Sequence, residues 1–293
     1  MTTRARLIAL LRTLATKDGL EPCALERVMF VRATYTQRKS QVFYDPVILI
    51  LAQGRKIAHF GGRTIVFDAD NYLVVPVPLP FECSTEASME KPLLGVAFTV
   101  DPVMVGELLL EMEDHVAVQG VVPGLYSAAM TDDLMHSTIR LLECLRSPVE
   151  TRILGRQIVR ELLYRVLCGG QSAALRAIAT RHSHFAQIGK VLRRMHAEYA
   201  QSLDVETLAR EAGMSVSTFH ANFKAVTSNS PLQYLKSVRL HRARTLMVQS
   251  GITASIAAGQ VGYESASQFS REFKRFFGAT PVEEAAKVRA ALA

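Results

Sequence analysis

The sequence predicts an α+β chain: a small β-barrel or sandwich with flanking helices, followed by an all-α domain of two helix-turn-helix units joined by a connecting helix. Three observations predict it. Residues 44–100 are short apolar runs separated by turn residues. From Pro102 onwards apolar residues recur at helical spacing. Near the C-terminus one motif occurs twice, 50 residues apart. The two domains are drawn as 1–180 and 181–293, with the boundary near Arg181.

The N-terminus mixes Arg with apolar residues at helical spacing and reads as an amphipathic helix. Arg12 interrupts its apolar stretch and no small-residue cleavage site follows, so a signal peptide is not expected. No uninterrupted apolar run of 18 residues occurs, so no transmembrane helix is expected and the location is read as cytoplasmic. Val47–Leu51, Lys56–Phe60 and Arg63–Phe67 read as strands, with Gly61-Gly62 as a two-residue hairpin turn that needs positive φ. Asp68–Asn71 is a second turn, leading into Tyr72–Val75. Pro76, Pro78 and Pro80 are expected to break regular pairing before Phe81–Ser84 and Leu93–Thr99.

Val103, Leu108–Leu110 and Met112 fit one helix, and Leu134, Ile139, Leu142 and Leu145 fit another. Ile153–Leu167 reads as a third, stopped by Gly169-Gly170. Gln171–His184 connects the halves with some local helix.

Charge divides the chain. Residues 181–293 carry 15 Lys and Arg against 8 Asp and Glu, whereas residues 1–180 carry 19 of each. The whole net charge of +7 thus sits in the C-terminal part, as suits a nucleic-acid-binding module beside a neutral partner domain. Cys23, Cys83, Cys144 and Cys168 are scattered without metal-type spacing and read as small buried hydrophobes. Glu82 and Glu86 beside Cys83 disfavour a reactive thiolate. Residues 44–100 contain only His59 as histidine, which argues against a metal site. No cofactor is expected. No paired carboxylates, phosphate loop or nucleophile–base pattern stands out, so the chain is read as a non-enzyme; an enzyme with a DNA-targeting module is the alternative.

The repeat carries the function. Ser217-Thr218-Phe219 through Phe223-Lys224 aligns with Ser267-Gln268-Phe269 through Phe273-Lys274, and Pro231 with Pro281. Each copy follows an Ala-rich helix that runs into Gly213 or Gly262. Two helices crossing closely need small residues, hence Ala209, Ala212, Ala257 and Ala258; the turn needs positive φ, hence the glycines. Ser215 and Ser265 are placed to cap the second helices. Phe219 with Phe223, and Phe269 with Phe273, form the apolar sides, leaving the opposite faces free for the major groove. Pro231 opens a connecting helix running to about Met247, along which Arg239, Arg242 and Arg244 supply cations. Arg239 is expected on DNA, while Arg244 is either a phosphate contact or structural.

The stretch from Gly262 to Pro281, with Leu208-Ala209 through Pro231 and Tyr234 through Arg244, resembles the DNA-binding domain of AraC/XylS-type regulators. Tyr44 through Pro80 resembles the cupin-like N-terminal domain of an AraC-type subgroup. The resemblance implies a sequence-specific transcription regulator, with a cupin-like barrel that senses a small-molecule effector or a partner. It implies base-reading positions at Ser217, His220 and Ala221 in the first unit and Ser267, Ser270 and Arg271 in the second. Lys224 and Lys274 join them as DNA-facing cations. Arg271 suits the O6 and N7 of guanine, with phosphate the alternative; Gln268 suits adenine or faces solvent. Ala221 stands where the family often has a long polar residue, and Ser228 where the second copy has Gly278. Duplex DNA is the expected partner. RNA polymerase and a homodimer are implied by the resemblance, and a membrane is not expected. The helices around 134–145 and 153–167 either form the dimer interface or pack on their own barrel. A constitutive DNA binder whose N-terminal domain only dimerises is the remaining alternative.

Overall fold

The computed structural model describes residues 2–113, 122–180 and 183–292; the boundary read near Arg181 lies outside them. Helix α1 (Thr3–Leu14) is capped by the Thr2 hydroxyl, which accepts from the Ala5 amide. Strands β1 (Gly19–Pro22), β2 (Val28–Ala33), β3 (Gln37–Tyr44), β4 (Val47–Gln53), β5 (Arg55–Phe60), β6 (Arg63–Phe67), β7 (Asn71–Val75), β8 (Leu79–Glu86) and β9 (Leu93–Thr99) follow. Helix α2 (Pro102–Glu111), strand β10 (Tyr126–Ala129) and helices α3 (Asp132–Cys144), α4 (Pro148–Leu167) and α5 (Ala173–Ala179) complete the first half. The second half is helical: α6 (His184–Ala197), α7 (Val205–Glu211), α8 (Val216–Thr227), α9 (Pro231–Ser250), α10 (Ala254–Gln260), α11 (Ala266–Phe277) and α12 (Pro281–Leu292).

The strands form two antiparallel sheets, in the orders β1-β2-β9-β4-β7-β10 and β3-β8-β5-β6. Strand β4 is buried from Val47 to Ala52, which explains its unbroken apolar run: such a strand is covered on both faces. Gly61 and Gly62 turn the β5–β6 hairpin with φ of 60° and 73°, the pair of positive values that a two-residue turn between twisted strands requires.

Several expectations are corrected. Strands β1 to β3 span residues 19–44, where the sequence predicts only a helical start. β3 is polar and mostly exposed at its start, so no alternation marked it. β10 interrupts the helical region; four residues are too few for a period, and its register comes from β7. Pro80 sits within β8 opposite Phe43. The pairing of β5 with β8 stops at Glu82, so the missing N–H faces no second neighbour. Helix α4 begins at Pro148, five residues before Ile153, because the Ser147 side chain accepts from the Glu150 amide and proline is tolerated at the first turn. It ends at Cys168 in right-handed geometry, and neither Gly169 nor Gly170 has positive φ. Cys168 is exposed, whereas Cys83 and Cys144 are buried and Cys23 is half-buried. Burial pushes the Cys83 thiol up despite Lys56 nearby.

The outer face of the smaller sheet does not face water throughout. Register puts Gln41, Phe43, His59, Pro80 and Glu82 on it, and the Phe43 ring lies 4.7 Å from His196 and 5.8 Å from His241. The Tyr234 hydroxyl donates to the Pro78 carbonyl at 2.8 Å. Its own hydrogen being used there, it accepts from His196 Nε2 at 3.0 Å, which makes His196 the Nε2–H tautomer. The Gly124 amide donates to the Val226 carbonyl at 3.2 Å. One apolar core therefore runs from α1 through the sandwich to Val238 in α9, and a second begins at Leu240. Helix α9 belongs to both.

Candidate nucleic-acid interface

Each helix-turn-helix unit is built by the same local chemistry. Helix α7 starts on Asp204, which accepts from the Thr207 amide at 2.7 Å, and α10 on Thr253, which accepts from the Ile256 amide. Ala209, Ala212, Ala257 and Ala258 are all at most 1% exposed, so the helices cross at the distance that small residues allow. Gly213 and Gly262 take φ of 65° and 85°. A Cβ on Gly262 would also collide with the Ala200 carbonyl. Ser215 and Ser265 cap α8 and α11, each accepting at 3.2 Å from the amide three residues on. The second turn is one residue longer, with Tyr263 and Glu264 between glycine and cap where the first has Met214 alone.

Phe219, Phe223, Phe269 and Phe273 are fully buried, and each pair stacks with ring centroids 5.4 Å apart. Full burial of such a side chain contributes about 1.5–3 kcal/mol, so the rotation of each helix about its axis is set by two phenylalanines. Ser217, His220, Ala221 and Lys224 are then exposed on α8, and Ser267, Gln268, Ser270, Arg271 and Lys274 on α11. Spacings of three, four and seven residues put Ser217, His220, Ala221 and Lys224 on one stripe. Ser267, Ser270, Arg271 and Lys274 form its twin. Among the described residues, Lys224, Arg271 and Lys274 have no carboxylate within 4 Å.

Arg239, expected on DNA, is held within the fold. Its guanidinium donates to the carbonyls of Tyr199 at 2.7 Å, Gln201 at 2.9 Å and Gly262 at 3.1 Å. It fastens the α6–α7 loop to the second turn, because these loop carbonyls have no helical partner and a planar fork satisfies several together. Arg244 is structural: it pairs with Glu284 at 3.2 Å and lies 4.6 Å from the Phe277 ring centroid. Arg242 is exposed, 5.8 Å from the Tyr199 ring centroid, and is the cation of this helix left facing outward. The connector is three residues longer than expected, ending at Ser250 before Gly251 at φ 66°.

Sequence reasoning missed His196 and His241. His241 is buried and His196 half-buried, and desolvation pulls His196 down to about 4 and His241 well below its usual range. In helices rich in arginine they read as solvated residues; Phe43 of the docked sheet covers both, and Phe276 and Phe277 pack on His241. It also missed Glu272, half-buried on α11, which accepts from Lys236, Tyr263 and Gln268.

The profile of the AraC-type transcriptional regulator N-terminus matches residues 24–174, just over half of the chain. A helix-turn-helix domain profile matches residues 208–286. The chain belongs to the AraC-type transcriptional regulators. This regulator is 34% identical over 103 residues to the RCS-specific HTH-type transcriptional activator RclR of Escherichia coli, covering 35% of the chain and 36% of that protein. It is 27% identical over 180 residues to the HTH-type transcriptional regulator ExsA of Pseudomonas aeruginosa, covering 60% and 62%. The regulator thus aligns with between about a third and three fifths of the length of these relatives. Its fold matches unsaturated fatty acid bound ToxT from Vibrio cholerae with a TM-score of 0.60 over 88% of this chain and 93% of that one, at 13% identity. No helix among the described residues is long and apolar enough to cross a membrane.

Proposed function

We propose that the regulator binds duplex DNA sequence-specifically, with α8 and α11 in successive major grooves, and that its N-terminal domain modulates this binding. The observation that carries the reading is the pair of exposed stripes, each fixed by a phenylalanine pair and holding cations with no carboxylate within 4 Å among the described residues. At about 1.5 Å per residue the connector α9 is roughly 30 Å long, which suits readers about one DNA turn apart. Arg271 is assigned to guanine; Lys224, Lys274 and Arg242 are assigned to phosphates. Ser217, His220, Ala221, Ser267 and Ser270 face the base edges, and the short Ala221 contributes little beyond contact with a thymine methyl. A cytoplasmic site of action follows from the DNA target.

The test is selection from a random duplex library by the full-length protein at two salt concentrations. Two half-elements about ten base pairs apart are expected. Arg271→Ala should lower discrimination at one position by about 1–3 kcal/mol. Lys274→Ala should weaken all sequences evenly and reduce the log–log salt slope by about 0.9. An even loss from Arg271→Ala would reassign it to phosphate.

The contact of Phe43, Pro78 and Gly124 with α6, α8 and α9 supports modulation by an effector, since a change in the sandwich reaches the readers directly. Lys56 indicates the effector's chemistry. It shares the inner face of β5 with the buried Ala58 and Phe60, its ammonium lies 5.9 Å from the Tyr44 ring centroid, and no carboxylate lies within 4 Å among the described residues. A lysine turned inward without a counter-ion suits a ligand with an anionic group. Lys56→Met should abolish the response of DNA binding to such a ligand and leave binding without it unchanged.

A homodimer is supported by α4, where Ile158, Leu162 and Val166 pack inward while Val149 and Ile153 are 53% and 58% exposed. Ile153→Glu should lower the sedimentation coefficient if this face is the interface. Contact with RNA polymerase is inferred from family membership, and in vitro transcription from the selected site distinguishes activation from repression.

A further inference from the structure

We propose that Glu272 is a positioning residue of the second reader: it holds the Gln268 amide in one orientation for base reading and ties that orientation to the connecting helix through Lys236. The proposal rests on the reading that α11 enters the major groove. Gln268 Nε2 donates to Glu272 Oε1 at 3.2 Å, one helical turn along. Lys236 Nζ, from α9, donates to the same oxygen at 2.9 Å, and the Tyr263 hydroxyl donates to Oε2 at 2.9 Å. The Glu272 side chain is 14% exposed and that of Lys236 37%.

A carboxylate on a helix that approaches a polyanion opposes binding unless its charge is neutralised. Lys236 neutralises it, and the two remaining donors set its direction. A carboxylate accepts and cannot donate. Only the NH2 side of the Gln268 amide can therefore face Glu272, because the flipped amide would set oxygen against oxygen. The other N–H and the amide oxygen are left to point outward as one donor beside one acceptor. That is the pattern which pairs with N7 and the N6 amino group of adenine. A glutamine ordered before binding loses less side-chain freedom when it docks.

The first unit supplies an internal control. Thr218 and Asn222 occupy the places of Gln268 and Glu272, 50 residues earlier. There Asn222 Nδ2 donates back to the Thr218 carbonyl at 2.9 Å. Helix α8 is nevertheless capped by serine and packed on two buried phenylalanines just as α11 is. The helix-turn-helix unit therefore does not need the carboxylate network to fold. Its presence in one copy is tied to what that copy presents to DNA.

The test compares base preferences of the full-length wild type, Gln268→Ala, Glu272→Gln and the double variant by selection from a random duplex library. Gln268→Ala should erase preference at one position. Glu272→Gln keeps the shape but lets the Gln268 amide face either way, and it should lower preference at that same position by about five-fold or more. The double variant should match Gln268→Ala alone there. Glu272→Ala, which removes the acceptor, repeats the test without a glutamine to be packed. Loss of affinity spread evenly over all positions, with a lower melting temperature, would mark Glu272 as merely structural and overturn the proposal. If Gln268→Ala left every preference intact while Arg271→Ala changed one, α11 would remain a reader and the role of Glu272 would fall. Absence of any preference in the wild type would remove the major-groove reading, and the proposal with it.

Discussion

Ser228 holds φ at 58° where its twin in the second copy, Gly278, sits at 78°. The left-handed conformation costs a residue with a side chain about 1–2 kcal/mol, and glycine avoids most of it. Ser228→Gly should therefore raise the unfolding free energy by about 1 kcal/mol in urea titrations, with the selected DNA sequence unchanged. His196 and His241 give a second prediction. Burial, together with Arg242 beside His196 and Arg244 beside His241, disfavours their protonated forms. The unfolded chain then binds protons that the native state refuses, so stability rises with pH across the window. Their contribution is complete above pH 6.5 and falls away as pH drops towards 4, by about 3 kcal/mol for His196 at 1.36 kcal/mol per unit. Urea midpoints at pH 7.5, 6 and 5 should decline in that order, and His196→Gln should flatten the decline; a flat wild-type profile would contradict neutral buried imidazoles.

At the scale of elements, the two turns look alike in sequence yet differ in what they tolerate. Gly262 combines φ of 85° with a Cβ position that collides with the Ala200 carbonyl, whereas a Cβ on Gly213 would meet only Gln187 Nε2 at 3.8 Å. Gly213→Ala should cost about 1 kcal/mol from conformation alone. Gly262→Ala should cost roughly 2–4 kcal/mol, since backbone must also move. Thermal melts rank the pair, and DNA selection should show that Gly262→Ala loses the half-element read by α11. The duplicated units were legible because each rests on local signals: a cap, an alanine crossing, a glycine turn and phenylalanines four apart. The β5–β6 hairpin was legible from Gly61-Gly62. Strands β1, β3 and β10 were not, because a short polar or edge strand takes its pairing from its neighbours rather than from its own pattern.

Across the whole molecule, the docking of the smaller sheet on α6 and α9 joins the sandwich and the helix-turn-helix half into one core. Tyr234 is its polar centre, with its hydroxyl between the Pro78 carbonyl and His196. Tyr234→Phe leaves a buried acceptor and a buried donor unpaired, which costs about 1–3 kcal/mol for such a group. The loss falls on the contact between the halves. Calorimetry should show one transition in the wild type and two separated transitions in Tyr234→Phe. A uniformly lowered single transition would mean that the remaining apolar contacts couple the halves without this hydrogen bond.

The sequence by itself determined the two helix-turn-helix units, their order, the connecting helix and the side of each helix that faces outward. Those features depend on periodicity and turn chemistry within a dozen residues, which a linear pattern records. Only the tertiary structure decided the fates of Arg239, His241, Tyr234 and Glu272. Arg239 reads as a DNA-facing cation because it sits on a basic helix; in the fold three loop carbonyls, distant from it in sequence, converge on its guanidinium. Whether a charge faces solvent or satisfies buried carbonyls depends on what folds over it, and no local pattern carries that information.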